Sequence, residues 1–384
     1  MDIQPFNMHV DERLLVDLKR RLDSIRWPHA LDAEAWTDGA SLALTQRLVK
    51  YWQSQFDWRA REAVLNRLPQ FRAQIDGTWV HFVHQPGVGS KPLPLIMTHG
   101  WPGSFAEMEQ IIPLLADPGS HGGDPGDAFH VIVPSLPGYG FSQAPDRQGC
   151  SSAQVAGLWF KLMNGLGYAR FGAQGGDIGA GVSTWLAHGH PESVVGFHLN
   201  YISGGYRPPL GPGLAPITDA EQSFLDRAAA WADAEGAYEH MHRTKPQTLA
   251  YALTDSPVGL AAWMVEKFRA WSDCDGDVES VFSFETLLTD ISLYWFSGNI
   301  DASLRMYKEN YLHPMHFQPG ERVLPPLGVA VFPRELPMPP RSWVERCHDV
   351  RRWTTMPKGG HFAALEQPHL LAEDIRAFFR PLRR

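Results

Sequence analysis

Residues 170–180 read RFGAQGGDIGA, an apolar strand that runs into a glycine-flanked aspartate and then into a helix start made of small residues. This order is typical of a nucleophile elbow, the sharp strand-to-helix turn that presents one side chain on strained backbone. Small neighbours are needed because the turn leaves no room around it, and Gly175, Gly176 and Gly179 supply them. The pattern predicts a strand, a tight turn and a helix, with Asp177 at the tip of the turn.

The chemistry of this turn is expected to be that of a carboxylate. Most elbows carry serine, but the motif Gly-x-Ser-x-Gly does not occur in the 384 residues. An aspartate has an unperturbed pKa of about 3.9 and is ionised at neutral pH, so it attacks without help from a base. We therefore predict Asp177 as a nucleophile, with base catalysis deferred to a second step.

The composition is that of an ordinary globular protein. Hydrophobic residues make up 44% of the chain and charged residues 20%, and the sequence lacks an apolar run of the ~18 residues that a membrane span needs. Residues 1–5, MDIQP, do not resemble a secretory signal, which predicts a cytoplasmic protein. The net charge of -8, without a dense Lys/Arg cluster, argues against nucleic acid and favours a small neutral molecule as the partner.

Hydrophobic periodicity divides the chain into three parts. Residues 1–78 show helical spacing, which predicts an N-terminal helical arm that packs on the rest. Strand-like and helix-like segments alternate over residues 79–204 and again over 321–384, the order of an α/β core with a mostly parallel sheet. Residues 205–320, which lie between these two parts, are helical in composition and rich in Ala, Trp and Met. They predict a helical cap inserted into the core.

Two loops carry residues that could assist Asp177. The segment HGWPGS, residues 99–104, follows the second core strand, and its backbone can turn the amide of Trp101 towards the elbow. The amide of Ile178, at the start of the following helix, would complete an oxyanion hole. The segment GGHF, residues 359–362, follows the last predicted strand and makes His361 the candidate general base.

An acid is expected after the penultimate strand, where Glu335 would orient the imidazole of His361 and stabilise its charge. Asp349 is the rival, but it lies closer to the next strand and is more simply a surface turn residue. The order of nucleophile, acid and histidine along the chain is that of the α/β-hydrolases. The sequence therefore favours Glu335 over Asp349.

Metal and nucleotide sites find little support in the sequence. Two histidine pairs occur, His240 with His242 and His313 with His316, but neither shows the His-Glu-x-x-His pattern or a clear carboxylate third ligand. A phosphate-binding loop needs a Gly-Lys pair, which is absent, and no Gly-x-Gly-x-x-Gly follows a strand. We therefore predict neither a metal nor an organic cofactor.

Together these motifs resemble the epoxide hydrolase family of the microsomal type. Matching blocks lie along nearly the whole chain, at residues 26–28, 99–104, 175–177, 244–246, 255–260, 307–310 and 359–364. The resemblance implies an α/β-hydrolase fold with a mostly parallel central sheet, a helical cap insertion and an N-terminal helical arm. It also implies that two cap tyrosines, at positions matching Tyr238 and Tyr307, hydrogen-bond the epoxide oxygen.

The resemblance implies addition of water to an epoxide, which gives a vicinal diol through an ester on Asp177. Trp101, Trp263 and Trp295 are expected to bind the substrate, which predicts a bulky apolar or aryl epoxide. Family members often have tryptophan after the nucleophile, where this chain has Ile178. The sequence shows no counterpart of the membrane-anchoring helix of vertebrate members, so a soluble form is expected, with a homodimer as the assumed assembly.

Two other functions stay open at this point. A haloalkane or haloacid dehalogenase uses the same aspartate elbow, but it needs N–H donors for the halide, and Ile178 stands where such enzymes often place a halide-binding tryptophan. A catalytically idle relative that only binds a small molecule is the second alternative. An intact nucleophile, acid and base argue against it, because a binding protein would have no use for all three.

Overall fold

A nine-stranded sheet forms the centre of the molecule, in the computed structural model that describes residues 1–383. Its strands, numbered along the chain, are β1 (Asp2–Pro5), β2 (Gln70–Ile75), β3 (Thr78–Gln85), β4 (Leu93–Thr98), β5 (Phe129–Pro134), β6 (Phe171–Gly175), β7 (Val194–Leu199), β8 (Val323–Val331) and β9 (His348–Thr355). They lie side by side in the order β1-β2-β3-β5-β4-β6-β7-β8-β9.

The sheet is parallel from β5 to β9 and antiparallel at the other edge. β4 pairs with β5 and β6, and the pairs β6–β7, β7–β8 and β8–β9 are also parallel. β1, β2, β3 and β5 pair in antiparallel fashion. Neighbouring parallel strands end at the same edge of a sheet, so the loops after β4 and β6 come together there. Those loops carry residues 99–104 and Asp177.

Helices pack on the sheet, and the segment between β7 and β8 consists mainly of helices. They are α1 (Glu12–Leu22), α2 (Leu42–Ser54), α3 (Trp58–Leu65), α4 (Ile111–Ala116), α5 (Ser152–Gly165), α6 (Asp177–Gly189), α7 (Asp219–Glu235), α8 (Ala237–Thr244), α9 (Pro246–Asp255), α10 (Pro257–Trp271), α11 (Phe284–Ser297), α12 (Ile300–Leu312), α13 (Arg341–Glu345), α14 (Ala363–Glu366) and α15 (Pro368–Phe379). Short 3-10 turns lie at Phe105–Met108, Pro118–His121, Pro125–Asp127, Val278–Ser280 and Arg380–Leu382.

Several helices begin where the local sequence offers a cap. Ser41, Ser256 and Ser283 accept hydrogen bonds from backbone N–H groups in the first turns of α2, α10 and α11. Such caps satisfy donors that have no partner inside the helix. Pro257 and Pro368 occupy the first position of α10 and α15, where a missing N–H costs nothing.

The predicted α/β architecture with a mostly parallel sheet is confirmed. The six helices α7–α12 lie in sequence between β7 and β8, within the range for which a helical cap was predicted. The boundaries of arm, core and cap stay a prediction.

One expectation for residues 1–78 was wrong, because this segment is not helical throughout. Residues 2–5 form β1 and residues 70–75 form β2, and both belong to the central sheet. β1 is only four residues long, and its pairing joins Asp2 to Gln74. So short a strand is stabilised by a distant partner and leaves no readable period in its own sequence.

A buried ion pair joins helix α7 to Arg346, the residue that follows α13. Glu221 Oε2 lies 2.7 Å from Arg346 Nη2, and the Glu221 side chain is only 1% exposed. Glu221 also caps α7 by accepting the backbone N–H of Thr218 at 2.9 Å. Phe224 of α7 packs on Trp343 of α13, and both rings are fully buried. Charge and packing therefore fix α7 at the same place.

Among residues 1–383, none of the helices combines the length and the apolar character that a membrane crossing demands.

Candidate active site

The turn after β6 has the strained geometry that the sequence predicts. Asp177 has a φ of 47°, in the left-handed region that costs free energy for a residue with a side chain. A Cβ atom on Gly175 would lie 2.2 Å from the carbonyl oxygen of Gly179, and one on Gly179 would lie 2.0 Å from that of Thr98. These glycines are therefore required because any side chain would overlap with backbone.

Three side chains from separate loops meet at this turn. His361 Nε2 lies 3.3 Å from Asp177 Oδ2, and His361 Nδ1 lies 2.6 Å from Glu335 Oε1. The backbone N–H of Leu336 donates to the same Glu335 oxygen at 2.7 Å. The rival acid Asp349 instead accepts two bonds from Arg351 Nε at 2.7 Å on the surface. The geometry therefore pairs His361 with Glu335.

The charge state of His361 depends on its two carboxylate neighbours. Burial of the ring works against the charged imidazolium, but the negative charges of Glu335 and Asp177 outweigh burial and hold the pKa of His361 well above its usual range. The histidine is thus held as a cation while Asp177 is ionised. Loss of the Asp177 charge would remove one of the two groups that raise this pKa.

The loop after β4 directs one backbone amide at the carboxylate of Asp177. The N–H of Trp101 donates to Asp177 Oδ1 at 2.8 Å. A Cβ atom on Gly100 would lie 2.2 Å from the same oxygen, so this approach requires glycine. Ile178 is the second residue of α6, where amides have no acceptor within the helix. The role of its amide as the second half of an oxyanion hole stays a prediction.

The two tyrosines come from α8 and α12, and both pack against Trp101. The Tyr238 ring stacks on the Trp101 ring at 5.6 Å, and the Tyr307 ring meets it edge-on at 5.9 Å. The two tyrosine rings are themselves 5.9 Å apart. In the described part of the chain the buried hydroxyl of Tyr307 has no hydrogen-bond partner. A buried donor of this kind is free to bind an oxygen of a ligand.

Burial and nearby charge keep both tyrosines protonated. Burial is the larger cause, and the negative charge of Asp177 adds to it, so that the pKa values of Tyr238 and Tyr307 lie well above the usual range. The ammonium of Lys267 lies 4.6 Å from the Tyr238 ring centroid. The same ammonium lies 2.6 Å from Glu266 Oε2.

His242 and Trp263 form the next layer around the tyrosines. The His242 ring lies 4.8 Å from the rings of both Trp101 and Tyr307. Trp263 Nε1 donates to His242 Nε2 at 3.1 Å, and burial lowers the pKa of His242 to about 3. His242 is therefore a neutral member of this aromatic cluster, and it was not singled out as such from the sequence.

Trp295 lies outside the aromatic cluster around the two tyrosines. The guanidinium of Arg21, on α1, stands 5.6 Å from its ring centroid. Among residues 1–383, no ring contact joins Trp295 to Trp101, Tyr238 or Tyr307. The structure thus brings Trp101 and Trp263 to the tyrosine cluster but not Trp295, and the substrate-binding role of all three stays a prediction.

A small cavity of about 30 Å³ lies beside Asp177 and His361. Its lining includes the side chains of Glu107, Gln174 and Asn200. This volume suits one water molecule, which needs about 10–15 Å³. Burial, reinforced by the charge of Asp290, raises the pKa of Glu107 well above its usual range. Sequence reasoning missed Glu107 because it lies beyond the HGWPGS segment, in the 3-10 turn Phe105–Met108, and belongs to no recognisable motif.

Residues 1–383 contain no group of three or more His, Cys, Asp or Glu side chains that could hold a metal ion. Of the two histidine pairs, His242 accepts from Trp263, and His313 Nε2 lies 3.9 Å from Glu309 Oε2. The absence of a metal or organic cofactor stays a prediction.

Comparison with known proteins gives two family matches. Residues 3–108 match the model described as the epoxide hydrolase N terminus, and residues 94–226 match that of the alpha/beta hydrolase fold. A Stigmatella aurantiaca protein named for epoxide hydrolysis is 46% identical over 99% of this chain and 86% of its own length. The chain belongs to the epoxide hydrolase family.

Other epoxide hydrolases are similar over comparable lengths. Epoxide hydrolase 1 of Oryctolagus cuniculus is 40% identical over 98% of this chain and 88% of its own. The solved structure of Aspergillus niger epoxide hydrolase superposes with a TM-score of 0.87, at 31% identity, and covers 100% of this chain and 97% of that one. The α/β-hydrolase fold expected for this epoxide hydrolase family member is thereby confirmed.

Proposed function

We propose that this protein adds water to an apolar or aryl epoxide and releases a vicinal diol, by way of a covalent ester on Asp177. The observation that carries the proposal is the contact of His361 with two carboxylates, Nε2 at 3.3 Å from Asp177 and Nδ1 at 2.6 Å from Glu335. One carboxylate can act as nucleophile while the other orients the base. The names of the similar proteins agree with an epoxide as the substrate.

In the first step, Asp177 Oδ2 or Oδ1 attacks one epoxide carbon from the side opposite the ring oxygen. The C–O bond of the ring breaks, and its electron pair goes to the oxygen, which takes a proton from Tyr238 or Tyr307. The product is a hydroxyalkyl ester on Asp177 and a tyrosinate. Protonation matters because an alkoxide is a poor leaving group at neutral pH, and general-acid help is typically worth about 10²–10⁴ in rate.

In the second step, the imidazolium of His361 first returns a proton through water to the tyrosinate. The neutral imidazole then takes a proton from water, and the hydroxide formed attacks the carbonyl carbon of the ester. Ester formation neutralises Asp177, so one of the two charges that raise the pKa of His361 is gone by then. The imidazolium of His361 therefore loses its proton more readily once the ester exists. The amides of Trp101 and Ile178 would stabilise the oxyanion, each worth about 10²–10³ in rate. The bond between the ester carbonyl carbon and the diol oxygen then breaks, and this oxygen takes the proton of the added hydroxide. The diol leaves, and the Asp177 carboxylate and the His361 imidazolium are restored.

The comparisons do not favour a dehalogenase, since the similar proteins named above are epoxide hydrolases. One observation nevertheless makes a haloalkane a useful arm of the test. In the part of the chain that is described, the buried indole N–H groups of Trp101 and Trp271 lack an acceptor. Indole N–H donors are what a halide would need.

The decisive experiment is intact-protein mass spectrometry of a His361→Ala variant incubated with styrene oxide. Without the base the ester should persist, so the protein mass should rise by one unmodified epoxide. The same incubation of Asp177→Ala should give no adduct, and a haloalkane should give none with His361→Ala. An adduct from the haloalkane alone would replace the proposal by the dehalogenase function, and an adduct that survives loss of Asp177 would exclude the aspartyl ester.

A further inference from the structure

The loop that carries His361 is held by its backbone amides. All four N–H groups of residues 359–362 have acceptors outside the loop itself. Gly359 N–H donates to Asp273 Oδ2 at 2.8 Å, and His361 N–H donates to the Trp271 carbonyl at 2.8 Å. The amides on either side of His361 both donate to Glu366, Gly360 to Oε2 at 2.9 Å and Phe362 to Oε1 at 3.0 Å.

Glu366 also binds a segment that lies outside both the His361 loop and α14. Its Oε2 accepts a third bond, at 2.8 Å, from the backbone N–H of Asp273, two residues beyond the end of α10. A residue at the end of a four-residue helix could serve merely as its cap, and the bond to Phe362 fits that role. The bonds to Gly360 and Asp273 lie before the helix and on another segment, and helix capping does not account for them.

We propose that Glu366 is a positioning residue for the base His361, and that it acts on the hydrolysis of the ester and not on its formation. This inference rests on the proposed function, in which His361 acts only in the second step. Glu366 makes no contact with the reacting atoms. It sets the backbone from which the imidazole extends to Asp177 at 3.3 Å.

Charge contributes to the same arrangement. An ionised carboxylate is an acceptor at both oxygens, so it can receive all three amides at once. Burial raises the pKa of Glu366 to about 7, although its three backbone hydrogen bonds lower it. These donors therefore offset part of the cost of burying the negative charge.

Two substitutions of Glu366 remove these backbone hydrogen bonds, one in part and the other completely. Glu366→Gln keeps one carbonyl oxygen but turns an NH₂ group towards one of the amides, so one bond is lost. Glu366→Ala removes all three acceptors. Because a displacement of about 1 Å can cost about 10²-fold in rate, ester hydrolysis should slow by about tenfold in the glutamine variant and by about 10²-fold in the alanine variant.

The measurement separates the two half-reactions in single turnovers. Enzyme in excess is mixed with styrene oxide, quenched at successive times, and analysed by mass spectrometry for ester and by chromatography for diol. The rate of ester formation should stay within about twofold of wild type in both variants, while the ester accumulates. Glu373→Gln is the matched control, because its side chain is 80% exposed and it lies only seven residues further along the chain.

Other results would overturn the proposal. Equal slowing of both half-reactions in Glu366→Gln would show a general structural role, and unchanged hydrolysis in both variants would show no role. The His361→Ala adduct is measured alongside and decides the underlying function. If that adduct forms while the Glu366 variants hydrolyse normally, only the positioning role falls; if it does not form, the proposed function falls and this inference with it.

Discussion

Replacing Glu335 by glutamine removes the negative charge that contacts Nδ1 of His361 while keeping the shape of the side chain. The Leu336 N–H donates to Glu335 Oε1, so the glutamine should place its carbonyl oxygen at that position. His361 Nδ1–H then keeps an acceptor, and the ring keeps its tautomer. The variant therefore tests the charge of Glu335 separately from its hydrogen bond.

The size of the effect follows from the distance between the two atoms, Glu335 Oε1 and His361 Nδ1, which is 2.6 Å. Opposite unit charges this close attract by about 6 kcal/mol at an effective dielectric constant of about 20. If half of the imidazolium charge has developed in the transition state, the variant loses about 3 kcal/mol of stabilisation there. Since about 1.4 kcal/mol is a factor of ten, ester hydrolysis should slow by about 10²-fold.

The pH dependence supplies a second check with a definite sign. The base must be neutral, so ester hydrolysis speeds up as pH rises through the pKa of His361. Burial lowers this pKa, and Glu335 is one of the two carboxylates that raise it above the usual range. Without the Glu335 charge the pKa falls, and the rise in hydrolysis rate should move to lower pH.

Both quantities come from single-turnover decay of the ester, followed by mass spectrometry at several pH values. Asp349→Asn is the matched control, because Asp349 is the rival acid and its carboxylate bonds Arg351 on the surface. Hydrolysis by Glu335→Gln within about threefold of wild type would refute the reasoning, as would a larger loss in Asp349→Asn.

Three further predictions concern the tyrosines, the loop after β4 and the anchoring of α7. Tyr307→Phe removes a hydroxyl without a partner in residues 1–383, so the melting temperature should not fall, while ester formation should slow by about 10²–10⁴-fold in single turnovers. Gly100→Ala places a Cβ atom 2.2 Å from Asp177 Oδ1, which should displace the carboxylate and slow ester formation by about 10²-fold. Arg346→Leu leaves Glu221 buried without its cation, which should lower the free energy of unfolding by about 3–5 kcal/mol in urea titrations.

Each of these has an outcome that contradicts it. A Tyr307→Phe protein that melts earlier and forms the ester at the wild-type rate would mean that the hydroxyl serves the fold alone. Normal ester formation in Gly100→Ala would mean that the loop yields to the methyl group. Unchanged unfolding of Arg346→Leu would mean that Glu221 is neutralised by other means, and Arg341→Leu, which removes a more exposed ion pair, is its control.

The sequence was informative where the structure is local. The conformation of the elbow depends on neighbouring residues, three of which are glycines. The loop of His361 could be recognised because two glycines precede the histidine. Glu335 could be found because it follows a readable strand, β8, and parallel strands end at a common edge.

What could not be predicted depends on contacts between distant segments. Glu366 receives an amide from residue 273, across 93 positions of chain, and no spacing in the sequence announces that bond. β1 was missed for the same reason. Trp295 was expected at the substrate site from its residue type alone, which could not show its contact with Arg21, and its role stays a prediction.

The placement of β1 bears on how chimeras of this family could be made. Asp2 pairs with Gln74, so residues 6–69 connect two strands, β1 and β2, that are neighbours in the sheet. The N-terminal family match, residues 3–108, covers most of β1 and all of β2, β3 and β4, and thus is no separable module. A chain shortened to begin at residue 70 would present β2 as an open edge with unpaired backbone groups, which invites association between copies. Exchanges between relatives should therefore keep β1 and β2 from the same parent.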